Sequence, residues 1–391
     1  MSQVKLGDVA VESRETYKGD KTGTPIVGLE HITPGEVTLS NWDTDTDNTF
    51  TKRFRKGDML FGRRRAYLKK AAQAPFDGIC SGDITVIRAK EDLLSPELLP
   101  FIIQNDNLFD FAVGKSAGSL SPRVKWDNLK NYTFELPPME EQRKLAEVLW
   151  SINDTLLAYQ KLLTETDALV QAQFIEMFGD PADNSSHLVK MTVHEAVKRG
   201  YIERPLDGNH GEKHPKGSDY VPDGVPFIMA KDLIDKHVDF EGCNHIAEEQ
   251  AKTLTKGWAK TGDVLLTHKG TIGRVAVVQP SKYEHILLTP QVTYYRCLNK
   301  IDKEFLAAYF CTNYFMDQMK KLVTGTTRAC VTITQQQQLQ LIIPSLDLQQ
   351  KFVEFVEQND KSKSALQNTI TSLQATKRCI LENILGTRRK E

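Results

Sequence analysis

Laying residues 181–391 of this 391-residue chain under residues 1–180 brings the same short landmarks into the same order. Each half opens on a short segment, Val4-Lys5-Leu6-Gly7-Asp8-Val9-Ala10 and then Val189-Lys190-Met191-Thr192-Val193-His194-Glu195-Ala196. An apolar, strand-like run leading into a loop follows in each, Thr24-Pro25-Ile26-Val27-Gly28-Leu29-Glu30 and Val225-Pro226-Phe227-Ile228-Met229-Ala230-Lys231. Phe54-Arg55-Lys56-Gly57-Asp58-Met59-Leu60 answers Trp258-Ala259-Lys260-Thr261-Gly262-Asp263-Val264-Leu265, where Gly-Asp suits a turn and the apolar residues a buried strand. Gly118-Ser119-Leu120-Ser121-Pro122-Arg123 parallels Gly325-Thr326-Thr327-Arg328, and Leu136-Pro137-Pro138-Met139-Glu140-Glu141-Gln142 parallels Ile343-Pro344-Ser345-Leu346-Asp347-Leu348-Gln349. Five ordered landmarks argue duplication of a unit of about 200 residues, far longer than a solenoid repeat, so each unit is a domain. The offset between halves grows along the chain, which places insertions in the loops of the second half.

A change of period follows each domain. After Pro137-Pro138, where a helix can begin with Glu140 and Glu141 favoured by its dipole, Leu145, Leu149, Ile152, Leu156, Tyr159, Leu163, Thr166 and Val170 recur at spacings of four and three. This is a heptad seam, ending at Phe178-Gly179-Asp180-Pro181. After Pro344 the pattern returns as Phe352, Val356, Asn359, Lys363, Leu366, Ile370, Leu373, Lys377, Ile380 and Ile384. Neither stripe is stable without a partner. Two packings are open: the helices pair antiparallel and hold the domains at opposite ends of a rod, or each lies on its own domain.

Lys plus Arg number 50 against 51 Asp plus Glu, so any nucleic-acid surface must be local. Lys52, Arg53, Arg55, Lys56, Arg63, Arg64, Arg65, Lys69 and Lys70 crowd one stretch against a single acid, Asp58. Arg supplies both phosphate contacts and the planar fork that fits the O6/N7 edge of guanine. The second half has a thinner counterpart in Lys252, Lys256, Lys260, His268, Lys269 and Arg274. Recurrence at one place in both units favours a shared ligand over two solvated faces.

No catalytic engine is evident. Leu136-Pro137-Pro138-Met139 has the Pro-Pro step of an adenine methyltransferase motif but lacks its Asn or Asp and its aromatic residue. There is no phosphate-binding glycine loop, and His194-Glu195 has no second His for a zinc pair. His210, His214, His237 and His245 match no zinc spacing, and no metal site is expected. The six cysteines form no C-x-x-C pair and are read as free, mostly buried thiols. No apolar run approaches the roughly 18 residues of a membrane span. The N-terminal stretch has no signal-peptide core, so the expected location is cytoplasmic.

With these residues in hand, the sequence resembles the specificity subunit of type I restriction-modification systems over essentially its whole length. The duplicated plan carries the resemblance, with Gly57 to Leu60, Gly262 to Leu265, and above all Leu136-Pro137-Pro138-Met139-Glu140-Glu141-Gln142-Arg143-Lys144-Leu145. The last module is weakened in the second half, where the second Pro and the acidic pair are lost. The resemblance implies an α+β fold with two similar target-recognition domains, separated by an antiparallel two-helix coiled-coil spacer in a pseudo-two-fold repeat. The expected boundaries are recognition domains at 1–136 and 181–343, with conserved-type helices at 137–180 and 344–391.

It further implies that each domain reads one half of a bipartite, asymmetric double-stranded DNA site, while the helices set the gap and dock two methyltransferase subunits. Those subunits would bring S-adenosylmethionine, and restriction subunits would bring ATP and magnesium. The chain itself would be non-catalytic and need no cofactor or membrane. The helices are expected to follow their domains. The candidate DNA contacts are Arg63, Arg64, Arg65, Tyr67, Lys69, Lys115, Ser119 and Arg123 in the first domain. In the second they are His268, Lys269, Thr271, Thr326, Thr327 and Arg328. A protein-binding spacer without DNA readout, and a methyltransferase or nuclease with an unrecognised site, remain as alternatives.

Overall fold

The computed structural model describes residues 2–44, 47–180, 189–211, 214–324 and 329–385. It divides into two compact units, one formed by Met1–Leu162 with Leu366–Glu391 and the other by Leu163–Ala365. The division therefore cuts each long helix part-way along, and each unit holds a globular domain with a portion of both helices.

In the first unit, strands β1 (Ala10–Ser13), β2 (Met59–Gly62), β3 (Ala71–Gln73) and β4 (Ile84–Ala89) form an antiparallel sheet in the order β1-β4-β2-β3. In the second, β5 (Leu206–Asp207), β6 (Val264–Lys269), β7 (Thr271–Val277) and β8 (Val292–Tyr295) repeat it as β5-β8-β6-β7, again antiparallel. A smaller sheet in each unit joins one parallel and one antiparallel neighbour, with Ile26 beside Ile79 and Arg53 beside Ile79, then Phe227 beside Leu287 and Trp258 beside Leu287. The second copy of this sheet gains two strands, Tyr220–Val221 and Asn244–Ile246, and a further hairpin pairs Leu233–Ile234 with His237–Val238.

The Gly-Asp turns act alike. Gly57 and Gly262 have φ of 91° and 90°, a left-handed backbone that a side chain would strain. Asp58, 2% exposed, accepts from the amide of Arg55 and grips Arg88 through two bonds of 2.7 Å. Asp263, 1% exposed, accepts from the amide of Lys260 and grips Arg296 through two of 2.8 Å. Glu15 and Glu203 complete the two clusters at 2.8 and 3.2 Å. A buried carboxylate is thereby neutralised by a bidentate guanidinium rather than left unpaired.

Helices α1 (Met139–Phe178) and α2 (Leu346–Ile384) begin after the Pro-Pro and Pro steps. α1 ends at Gly179, whose φ of 73° closes the last turn as its amide donates to Ile175 O. Gln142 and Gln349 latch the helix starts. The Gln142 side chain accepts from Ser95 N and donates to Pro137 O and Leu93 O; Gln349 accepts from Asp302 N and donates to Pro344 O and Lys300 O. The second helix thus begins as the first does despite its altered sequence, because the retained Gln makes the connection.

Within each unit the two helices pack both against one another and on the globular domain. In the first unit Leu145 and Leu149 pack into the domain core, which Ile380 and Leu381 from the far end of α2 and Leu385 just after it also join. In the second unit Phe174 and Phe178 near the end of α1 meet Phe352, Val353 and Val356 near the start of α2, among Phe305 and Tyr309 of the domain. The helices therefore run antiparallel in each unit. Leu156 and Ile370 are buried, and Ile152, Tyr159, Leu163, Val170, Leu366 and Leu373 are half-buried; the side chain of Ile384 lies outside the described residues. Polar seam positions find partners: Lys363 bonds Asp167 at 2.6 Å, and Lys377 sits 5.1 Å from the centre of the Phe101 ring. Only Cys80 and Cys243 of the six free cysteines are buried, Cys311 and Cys379 being exposed, which corrects the expectation of mostly buried thiols.

Candidate nucleic-acid interface

The candidate surface of the first unit lies beyond the end of β2. The amide of Arg63 donates to Asp83 O and its carbonyl accepts from Val124 N, each at 3.0 Å, and Arg65 N donates to Pro122 O at 2.8 Å. Ala117 and Arg123 pair as an antiparallel bridge, so residues 117–123 form a small hairpin loop, and Arg64 bridges to Arg123 beside it. Arg64 Nε donates to Ser121 Oγ at 2.7 Å. Arg123 grips Asp83 through Nε and a terminal nitrogen at 2.7 and 3.2 Å, and Arg64 reaches the same carboxylate at 3.5 Å. The Arg123 hydrogen bond holds the Asp83 carboxyl below its usual range.

Residues far apart in sequence are thus brought together: Arg63, Arg64 and Arg65 lie beside the loop that carries Ser119 and Arg123. Arg65 is exposed, in a left-handed conformation (φ 53°), and forms no ion pair among the described residues. The short 3₁₀ turn Ala66–Leu68 follows, closed by a second left-handed residue, Lys69 (φ 51°), and Tyr67 on it is 54% exposed. Two non-glycine residues in this region bracketing one turn mark local strain, which tends to collect at functional sites. Lys69 pairs with Asp106. Lys115 is exposed with its ammonium 5.9 Å from the centre of the Phe111 ring, and Ser119 is exposed.

The linear basic cluster is not one positive patch. Arg53 pairs with Asp77 and Arg55 with Glu15, while Lys52 and Lys70 donate to the backbone oxygens of Ile84 and Leu29. Strand alternation sends neighbouring side chains to opposite faces, where acids from distant segments meet them.

The second unit repeats the backbone arrangement bond for bond. His268 N donates to Gln291 O and its carbonyl accepts from Val331 N, each at 2.9 Å, and Gly270 N donates to Ala329 O at 2.8 Å. Thr324 pairs with Cys330, and Lys269 bridges to Cys330. Here β6 turns through Gly270 (φ 80°) straight into β7, with Lys269 opposite Thr271 and no intervening 3₁₀ turn. Lys269 is half-buried and Thr271 exposed, whereas Thr326, Thr327 and Arg328 lie outside the described residues.

His268 requires a correction. It was expected to project to a ligand, but its side chain is only 3% exposed, with Nδ1 2.9 Å from Val331 O. Nε2 has no hydrogen-bond partner among the described residues and lies 3.7 Å from Asp207, beyond hydrogen-bond reach. Burial lowers its pKa despite that carboxylate and keeps it neutral. Asp83 and Ser121 are the contributors that the sequence did not single out. Asp83 meets Arg123 40 residues away, a pairing with no local signature.

Comparison with known proteins decides what this duplicated arrangement is. The family model described as "Type I restriction modification DNA specificity domain" matches residues 1–165 and 209–374. The chain belongs to this family. Its role is DNA recognition as a specificity subunit of a type I restriction-modification system. The MjaVIII specificity subunit of Methanocaldococcus jannaschii is 20% identical over 304 residues, covering 73% of this chain and 71% of that one. The EcoDI specificity subunit of Escherichia coli is 28% identical over 158 residues, 39% of this chain and 34% of that one.

Two solved structures share the fold of this specificity subunit. One comes from work on complex assembly and conformational transition of the type I R-M system; it has 21% identity, covers 98% of this chain and 97% of that one, and gives a TM-score of 0.60. The other, the S subunit from M. genitalium, has 13% identity, covers 98% and 96%, and gives 0.51. No described helix is long and apolar enough to cross a membrane.

Proposed function

We propose that each unit reads one half of a bipartite, asymmetric double-stranded DNA site, and that the long helices set the gap and dock two methyltransferase subunits. Those subunits supply S-adenosylmethionine chemistry, and restriction subunits join with ATP and magnesium. The chain carries no catalysis of its own and works in the cytoplasm. The observation that carries this reading is one backbone scaffold presenting different side chains in its two copies: an arginine row and 3₁₀ turn at Arg63 to Lys69, and a tight turn at Lys269 to Thr271. Readers of different sequences need a common frame and different edges, since base contacts specify while backbone contacts position.

The test exchanges residues 1–136 for the recognition domain of another such subunit and maps the methylated adenines made by the assembled complex. One half of the site should change and the other persist. A simultaneous change of both halves would show that the units read DNA as one surface.

A further inference from the structure

Leu120 is 91% exposed, while no other large apolar side chain among the described residues exceeds 54%. A solitary exposed leucine is ordinary on a floppy loop, but this loop is held from several sides. The Ala117–Arg123 pair closes it, Arg64 bonds Ser121 at its shoulder, Arg65 N bonds Pro122 O, and Arg123 is fixed bidentately on Asp83. Gly118, with φ 115°, turns the chain into the tip. Leu120 joins none of the hydrophobic clusters of its unit. Its setting is basic, with Arg64 and Arg65 alongside, and the acid that holds the base of the loop, Asp83, is already engaged by two guanidinium groups.

A rigid apolar tip inside a cationic rim is a poor match for an acidic peptide, which has no use for the leucine. It suits the major groove, where phosphates flank base edges and the one apolar group is the C5-methyl of thymine. We infer that Leu120 is a specificity-determining residue of the first unit, packing against a thymine methyl within its half site. This rests on the reading of the first unit as a DNA reader and names one group that it reads. The neighbouring arginines then supply position and hydrogen bonds, and the leucine supplies discrimination that charge cannot.

The experiment measures DNA affinity of the assembled methyltransferase complex at fixed salt, with each thymine of its half site replaced in turn by deoxyuridine, which lacks only the methyl. At one position the wild-type complex should lose about three- to fivefold in affinity, and Leu120→Ala should lose a similar amount on thymine DNA yet no longer distinguish the two bases. The salt dependence should not change, because no phosphate contact is removed. Equal sensitivity of wild type and Leu120→Ala at every thymine, or a shallower salt dependence in the variant, would overturn the inference. Failure of the parent reading looks different: the wild-type complex would then bind its own site no better than scrambled DNA.

Discussion

Arg63 and His268 occupy one place on two copies of a scaffold, each amide donating to the residue just ahead of the neighbouring strand, β4 or β8, and each carbonyl accepting from the end of the loop, Val124 or Val331. In the first unit the loop partner Arg123 is charged and tied to Asp83; in the second, Cys330 and Gln291 stand at the matching backbone positions. The first copy then spends Ala66–Leu68 on a 3₁₀ turn, where the second turns at once through Gly270. What is shared lies underneath: the Asp58–Arg88 and Asp263–Arg296 pairs, and the Gln142 and Gln349 latches. Buried polar groups resist change because each must be satisfied by a fixed partner, whereas surface side chains diverge at little cost.

If that division between frame and edge is right, damage to the frame should be equally severe in both copies. Asp58→Ala and Asp263→Ala each remove the bidentate partner of a guanidinium that is mostly covered, with Arg88 and Arg296 side chains 33% and 20% exposed, and leave it only Glu15 or Glu203 as a carboxylate partner. Urea unfolding should show a similar loss of about 2 kcal/mol for each. A variant losing under about 1 kcal/mol in one unit alone would mean that the copies no longer share this support. The latches come next. Gln142→Ala or Gln349→Ala leaves the amide of Ser95 or Asp302 without its side-chain acceptor, a cost of about 1–3 kcal/mol. Equal losses would show that the second helix start works as the first does, and a much smaller loss at Gln349 would show that its altered sequence has loosened it.

The frame was partly legible in the sequence because it is periodic or local. The heptads announce themselves at spacings of four and three, and Gly-Asp followed by apolar residues marks a turn into a buried strand. The partners of those same residues were not legible. Arg88 reaches Asp58 across 30 residues and Gln142 reaches Ser95 across 47, so no local pattern joins them. The long-range partners in the candidate interface were hidden for the same reason. The arginine row and residues of the 117–123 loop were named together as candidate contacts on the family resemblance, but the acids that neutralise Arg53, Arg55 and Lys69 come from Asp77, Glu15 and Asp106, which no local pattern marks. His268 was misplaced because a histidine next to a lysine reads as a surface residue, whereas it ends a strand buried throughout from Val264 to His268, with only Lys269 beside it half-buried.

The smallest expected effect tests that last contrast. His268 is buried, and desolvation lowers its pKa against the opposing pull of Asp207 and the Val331 carbonyl, with His210 and Lys269 adding to the lowering. A histidine whose folded pKa is depressed takes up a proton more readily when unfolded, so stability is complete above the unfolded value of about 6.5 and falls as the pH drops below it. One such group changes stability by at most about 1.4 kcal/mol per pH unit, and by less than about 1 kcal/mol at pH 6. His268→Asn places an amide donor near the position of Nδ1, toward Val331 O, and removes the titration. Urea unfolding at pH 7.5 and pH 6 should therefore show a flatter pH dependence in the variant than in the wild type, while Arg63→Gln in the first unit leaves that dependence unchanged. If wild type and His268→Asn lose stability in parallel, the imidazole is not held neutral by burial, and the two copies differ less beneath the surface than His268 implies.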